Sequence, residues 1–423
     1  MSSCQSLPRF VQLAQAISSS ATQLHEILLA KHLPFPTFDE DDAFQMPKEA
    51  SKVQDVLIDA AAELHDLLLD PITLIHHYGT YINMISFQAI ARFRIANMIP
   101  ANGQASYEEV AQQTCFTEPV LRRMLQAAMA MRIFREPEPG MVAHTKVSKL
   151  LTDPRMNDWL AIPTEEGWPA ASKTVSAYEK WPGSEEPNES GFSLANNTSD
   201  AMYNCITSPP ERAQRFANFM RVTASSYDYD PVHVVNNYDW ESLGAATVVD
   251  VGGSQGHIAI QLAKHFSNLK ILVQDIESVV ANADSRVPEE FKQRVRFEAH
   301  DFFQPQAVAA EVFFLRLVLH NWPDKYAVRI LRALIPALNH GSRVIIMEIC
   351  MKERGVLPLW KEKLVRKMDM MMGVLLNARE RTFGEWKALL THADPRFILK
   401  EVIEPQNSYL ALIDIRWNDP QSH

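Results

Sequence analysis

The sequence predicts a doubly wound α/β domain with a mostly parallel sheet, preceded by an all-helical and winged-helix domain. Three observations carry this reading. A strand, a glycine turn and a helix follow one another around Asp250-Val251-Gly252-Gly253. Six further strand-like runs extend from there to about residue 415, most of them separated by helical patterns. The first 150 residues instead show helical periodicity and a single hairpin, the pattern of a separate α-rich unit. At 423 residues the chain is also too long for one ordinary domain.

Taken in order, residues 1 to 60 read as an appended extension and linker. One amphipathic stretch runs from Phe10 to Leu29, and Pro34, Pro36 and the acid run Asp39-Glu40-Asp41-Asp42 follow it. Residues 61 to 200 form the helical and winged-helix unit. Two helical patterns meet at Asp70-Pro71, and the second, Ile72 to Met98, is apolar nearly all round. Such a helix must be covered on more than one side, so a second copy of the chain is expected against it. Ser106, with Glu109 three residues on, caps Tyr107 to Thr114, and Thr117 caps Glu118 to Arg132. A hairpin from Ile133 to Thr145 completes the wing. DNA binding is not expected, because the second helix offers only Arg122 and Arg123 while the wing carries Glu136 and Glu138. Residues 153 to 200 read as mixed, largely irregular chain with Trp159, Trp168 and Trp181.

Residues 201 to 423 form the α/β unit. Thr247 to Asp250 is a short buried strand, and His257 to Phe266 has helical spacing. Between them glycine permits positive φ and leaves room for a ligand against backbone N–H groups. The spacing Gly252, Gly253, Gly256 departs from the dinucleotide pattern. Asp275 ends the next strand 23 positions after Gly252, near the ~20-residue offset at which an acid meets ribose hydroxyls. Later strands read Val295 to Ala299, Val312 to Arg316, Ser342 to Glu348, Phe397 to Ile403 and Tyr409 to Ile415.

Composition bounds the function. Hydrophobic residues at 47% and charged residues at 22% suit a water-soluble globular chain. The net charge of −10 argues against a nucleic-acid backbone as partner. No apolar run is long enough for a membrane span, and the polar start is unlike a signal peptide. Four scattered cysteines favour a reduced, cytoplasmic setting. No metal is expected, since His76 and His77 point about 100° apart on a helix. His144 reads as structural, with reach to a partner's site as the alternative.

Polar residues gather at the predicted strand ends: Asp301-Phe302, Arg316, His320-Asn321-Trp322-Pro323-Asp324, Glu348, and Glu380 within Arg379-Glu380-Arg381-Thr382. Together with the Asp250 loop and Asp275, these resemble the S-adenosylmethionine (SAM)-dependent O-methyltransferases of the plant caffeate type. They are similar above all to the fungal members that methylate polyketide phenols. The resemblance runs from about residue 70 to 415 and implies a Rossmann-like methyltransferase domain behind a dimerisation domain. It implies SAM as cofactor, held by Gly252, Gly253, Asp275, Asp301, Phe302 and Arg316, with Arg316 where lysine is common. It implies His320 as general base and Glu348 and Glu380 as flanking acids. Asn321 stands where many members carry Asp. Met220, Met372 and Asn377 are assigned to the substrate side.

The chemistry is consistent. A phenol near pKa ~10 facing a histidine near ~6.5 leaves about 5 kcal/mol against full proton transfer. A nearby sulfonium favours phenolate, and a carboxylate on the far ring nitrogen favours imidazolium. The reading is therefore a homodimeric, metal-independent O-methyltransferase acting on a phenolic or enolic hydroxyl of a secondary metabolite. The alternative is a pericyclase or dehydratase of the same scaffold that holds SAM without consuming it.

Overall fold

The computed structural model describes residues 7–42, 44–225 and 227–419. The chain divides into two compact units. The first holds residues up to Pro169 with Ile206–Thr223 and Gly355–Leu364; the second holds Ala170–Cys205, Ala224–Arg354 and Val365 onward.

In the first unit, helix Arg9–Ala30 packs on helix Ser51–Leu68 around Leu24, Leu28, Ala50 and Val53. The acid run between them is a strap. Asp42 accepts from Lys146 and from the amides of Thr37 and Phe44, and Asp41 pairs with Lys149. The Lys146 hydrogen bond, then the two amides, push the Asp42 carboxyl down to about 2. The predicted break at Asp70-Pro71 is present: Asp70 caps the amides of Ile72 and Thr73, and Pro71 opens the next helix.

The single helix expected over Ile72 to Met98 is instead three pieces, Pro71–Gly79, Asn83–Phe93 and a 3-10 turn Ile95–Met98. Thr80 is extended and Arg94 left-handed, so Gly79-Thr80 and Arg94 end helices that apolar periodicity alone would carry through. The apolar character remains. Ile72 (79%), Ile75 (73%) and Tyr81 (63%) are exposed, while Ala89, Ile90 and Ala91 enter the core.

The winged helix forms with its Ser106–Glu109 capping box, but its first helix is shorter, Tyr107–Ala111. Thr117 occupies the N-cap position before Glu118–Ala130 without a side-chain hydrogen bond. Met141–Ala143 pairs mainly with Gln104–Ser106, a strand the periodicity did not mark, and meets Arg135 only through one bridge. The stretch expected to be irregular is mostly helical: Pro154–Ile162, a π-turn Pro163–Gly167, Trp168–Lys180 and Gly191–Ala195. Asp153 and Ser190 supply caps there, so short capped helices replaced the loop that Pro, Gly and Ser suggested.

The second unit is built on strands β1 (Ala246–Val251), β2 (Leu269–Asp275), β3 (Val295–Ala299), β4 (Val312–Arg316), β5 (Arg343–Met351), β6 (Phe397–Ile403) and β7 (Leu410–Trp417). Their order is β3-β2-β1-β4-β5-β7-β6, with β7 antiparallel to both neighbours. The reversal of order between β1 and β4 makes the switch point where α/β sheets bind ligands. β5 runs three residues past Glu348, because Ile349 pairs with Leu410 and Cys350-Met351 with Arg381-Thr382. One core cluster, with Phe313, Leu331, Ile346, Trp386 and Trp417, locks sheet and helices together.

At the tip of the β1 turn, Gly256 has φ +72°, and an added Cβ would lie 2.6 Å from the Phe297 ring. Gly256→Ala should therefore destabilise the protein by about 2 kcal/mol, combining left-handed strain with overpacking. Urea unfolding monitored by circular dichroism checks this.

Candidate functional site

The site lies at the C-terminal edge of the sheet in the second unit. At β1, Gly252 (φ +72°) and Gly253 both donate their amides to the Gln274 carbonyl, at 2.8 and 3.2 Å. Those two N–H groups are already used, which corrects the expectation that they face a ligand. What glycine supplies is closeness. A Cβ at Gly252 would lie 2.9 Å from Val318 and 3.9 Å from Phe302, and one at Gly253 would lie 2.5 Å from the Asp250 carboxylate.

Asp275 ends β2 and accepts the amides of Ser254 and Ile276, at 2.9 and 2.8 Å. Burial pushes its carboxyl up against those two donors. Asp301 is exposed and accepts the Phe303 amide, while Phe302 meets Phe303 and Trp322 edge-on. Arg316 donates to the Tyr229 carbonyl, and its Nε is buried without a partner. Burial lowers its guanidinium to about 10, opposed by Asp250, Tyr229 and Asp230. Asp250 is the counterpart. Its Oδ2 is buried without a donor, and burial raises the carboxyl to about 7, with Arg316 opposing and Asp275 adding. Buried polar atoms left unpaired cost roughly 1–3 kcal/mol each, so a polar guest that met these two would be stabilised. A zwitterion with a ribose diol fits such a donor and acceptor set.

The turn after β4 carries the candidate base. Leu317 has φ +55°, rare for a branched residue, and its amide donates to the Met347 carbonyl. The next two amides, Val318 and Leu319, donate to Glu348 Oε1 at 3.0 and 2.6 Å. Asn321 Nδ2 donates to the Leu317 carbonyl at 2.9 Å, a bond an Asp side chain could not donate. His320, 7% exposed, sits on this turn with Nδ1 2.8 Å from Glu380 Oε1.

His320, Glu348 and Glu380 thus converge from three strand ends, each offering a ligand atom within 4.8 Å of the others. Among the described residues they are the one such group, and His76 and His77 belong to none. Burial alone pushes the His320 ring down. The charge and hydrogen bond of Glu380 are the largest influences that raise it, and the net direction is up from the ordinary value.

Two residues without a predicted role complete the turn. Arg381, fully buried, donates to the carbonyls of Leu319 and Trp322 and to Asp324, at 2.8 to 3.1 Å. Asp369 accepts the Glu380 amide at 3.0 Å. Arg381 lies within the motif around Glu380, and that membership is the signal that could have marked it. For Asp369 the signal is a lone carboxylate between Met368 and Met370-Met371-Met372.

The residues assigned to the substrate side lie on different segments of the chain. Met372 is buried in helix Leu359–Leu376. Asn377, at φ +53°, donates its amide to the carbonyls of Ser184 and Glu186, which makes it a clasp between chain segments. Met220 is 41% exposed on helix Pro210–Ser225, in the first unit. His144 is fully buried, with its two nitrogens on Ser148 and the Ile99 carbonyl, so it has no exposed face for a partner. The described cysteines, Cys115, Cys205 and Cys350, are free; Cys4 lies outside the described residues.

Comparison with known proteins gives the family of the chain. Residues 186–394 match the O-methyltransferase domain and residues 75–154 the O-methyltransferase dimerisation domain. The O-methyltransferase PaMT of Phomopsis amygdali is 39% identical, covering 98% of both chains. A chlorophenol O-methyltransferase of Trichoderma longibrachiatum is 34% identical, covering 97% of this chain and 91% of its own. In fold, the chain is similar to OxaC solved with sinefungin and meleagrin, with a TM-score of 0.78 at 17% identity over 97% of this chain and 99% of that one. With both domains matched and relatives at this identity over nearly the whole chain, the chain belongs to the O-methyltransferase family with an N-terminal dimerisation domain.

Proposed function

We propose that this enzyme transfers the methyl group of SAM to a phenolic or enolic hydroxyl of a secondary metabolite, polyketide-derived as the resemblance of its motifs implies. In this reading His320 is the general base. The observation that carries it is the buried His320–Glu380 contact of 2.8 Å at the edge where the cofactor-type loop also ends. SAM supplies an electrophilic methyl group on a sulfonium. The protein's own work is to hold and to move a proton. Glu380 accepts a hydrogen bond from Nδ1–H, which leaves Nε2 as the acceptor for a substrate hydroxyl. The charge that develops on the ring is then met by a carboxylate already in place. Because His320 Nδ1 and Glu348 Oε1 are both engaged within the protein, we read the three side chains as a proton-handling set and the reaction as metal-independent. Asp275, Arg316, Asp301, Phe302 and the two glycines are the residues assigned to SAM.

No helix among the described residues is long and apolar enough to cross a membrane. The free cysteines support a cytoplasmic setting. The exposed row Ile72, Ile75, Tyr81, Ile82 and Ile85, in a region matching a dimerisation domain, supports a homodimer.

His320→Ala should lower turnover by 10²–10⁴-fold, the usual scale of general-base assistance, with SAM affinity nearly intact by calorimetry. Mass spectrometry separates the two enzymatic readings. A product one methyl group heavier, with stoichiometric S-adenosylhomocysteine, supports transfer, and an isomer formed without SAM consumption overturns it.

The pH dependence follows from the direction of the His320 shift. The base works unprotonated, so the acidic limb of kcat/KM should lie above the ordinary imidazole value. Removing the carboxylate charge with Glu380→Gln should move that limb to lower pH and reduce kcat.

For assembly, light scattering should give twice the 48.0 kDa chain mass, and Ile75→Glu should shift the protein toward monomer. A monomeric wild type would refute the interface.

A further inference from the structure

The two glutamates beside His320 are not equivalent. Glu380 touches the imidazole directly. Glu348, fully buried, spends Oε1 on the Val318 and Leu319 amides and makes no direct hydrogen bond to the ring. Each carboxylate leaves its second oxygen, Oε2, buried and without a donor. The groups facing Glu348 are His320, Glu380 and Arg381. Arg381 does not neutralise the pair, because its guanidinium is engaged by Asp324 and the carbonyls of Leu319 and Trp322.

We propose that Glu348 acts as a neutral carboxylic acid, a positioning residue that holds the turn carrying His320, and that Glu380 alone is ionised. This rests on methyl transfer with His320 as base. The charge balance supports it. With neutral His320 and both acids ionised, two negative charges would be buried side by side, and one would still be in excess after the ring is protonated. With a proton on Glu348, the set carries one negative charge at rest. It becomes neutral when His320 takes the substrate's proton, so the protein is matched to the charged ring rather than to the resting one. Glu348 keeps its own hydrogen throughout; only the substrate's proton moves. Placed on Oε2, that hydrogen removes the charge from the oxygen that no protein donor reaches. Burial, the largest influence on Glu348, pushes its carboxyl up, as does Glu380; His320, Arg381 and the Leu319 amide oppose.

Glutamine keeps both features, an oxygen to accept two amides and a hydrogen on the other atom, and alanine keeps neither. Glu348→Gln should lower kcat only about three- to fivefold and leave the acidic limb of kcat/KM where it is. Glu348→Ala should lose activity far more severely. Glu380→Gln, by contrast, should move the limb down. A second measurement does not depend on turnover or on a variant folding. Infrared difference spectra of wild-type protein with isotope-labelled glutamate carboxyls should show a protonated carboxylic-acid band at neutral pH, and Glu348→Gln should remove it. Absence of that band in the wild type overturns the proposal, as does a limb that shifts in Glu348→Gln as in Glu380→Gln. If the wild type makes no methylated product, the methyl-transfer reading fails while the infrared band still tests Glu348.

Discussion

The arrangement of the second unit depends on the tight turn from Leu317 to Asn321 that leaves β4. A branched residue at φ +55° is costly in isolation, and a turn of this kind persists only when its surroundings over-determine it. Here the Leu317 amide is held by Met347, the next two amides by Glu348, and the Leu317 carbonyl by Asn321. Arg381 then holds the carbonyls of Leu319 and Trp322 from the other side. The Leu317 carbonyl is answered from within the turn, and the other polar backbone groups named here from β5 or from Arg381. The reward is placement: His320 meets Glu380 while remaining almost wholly buried.

The electrostatics of the strand edge follow one rule in two places. Asp250 with Arg316, and Glu348 with Glu380, are buried groups whose polar atoms the protein itself leaves incompletely satisfied. Such atoms weaken a fold, and a folded chain tolerates them where a guest completes the set. On the cofactor side the incomplete set mixes donor and acceptor, suited to a zwitterion. On the base side it is acidic, suited to a cation that exists only while a proton is on the ring.

The first unit shows how surface charge and apolar area can be divided between tasks. The acid run at residues 39 to 42 is consumed internally, since Lys146 and Lys149 of the winged helix bind it. That removes basic charge a nucleic acid would need. The apolar area is concentrated on the short helix Pro71–Gly79 and the residues just after it. Burial of such a face against a second chain is the ordinary route by which it becomes stabilising.

Much of the architecture was legible in the linear sequence, because the cues are local. Alternating and helical periodicities marked seven of the eight strands of the sheet, all but the two-residue Arg381–Thr382, and Asp70-Pro71 and Ser106 with Glu109 marked helix starts. The polar residues at strand ends could be named too, since a strand that ends on Arg316 or carries Glu348 is unusual in an apolar sheet. What sequence could not supply was pairing. Breaks at Thr80 and Arg94 depend on backbone conformation that apolar periodicity does not encode, and the helices of residues 154 to 195 depend on caps that composition obscured. Gly252 and Gly253 were legible as a turn, yet only the tertiary structure shows their amides bound to Gln274 and their hydrogens standing in for side chains that Val318 and Asp250 would exclude. Likewise Glu348 and Glu380 are the same residue type, one inside β5 and one just before the short strand Arg381–Thr382. Which one touches the ring and which one holds the turn was decided by distances across the sheet, because hydrogen bonds of about 3 Å between residues 29 to 62 positions apart leave no trace in local periodicity.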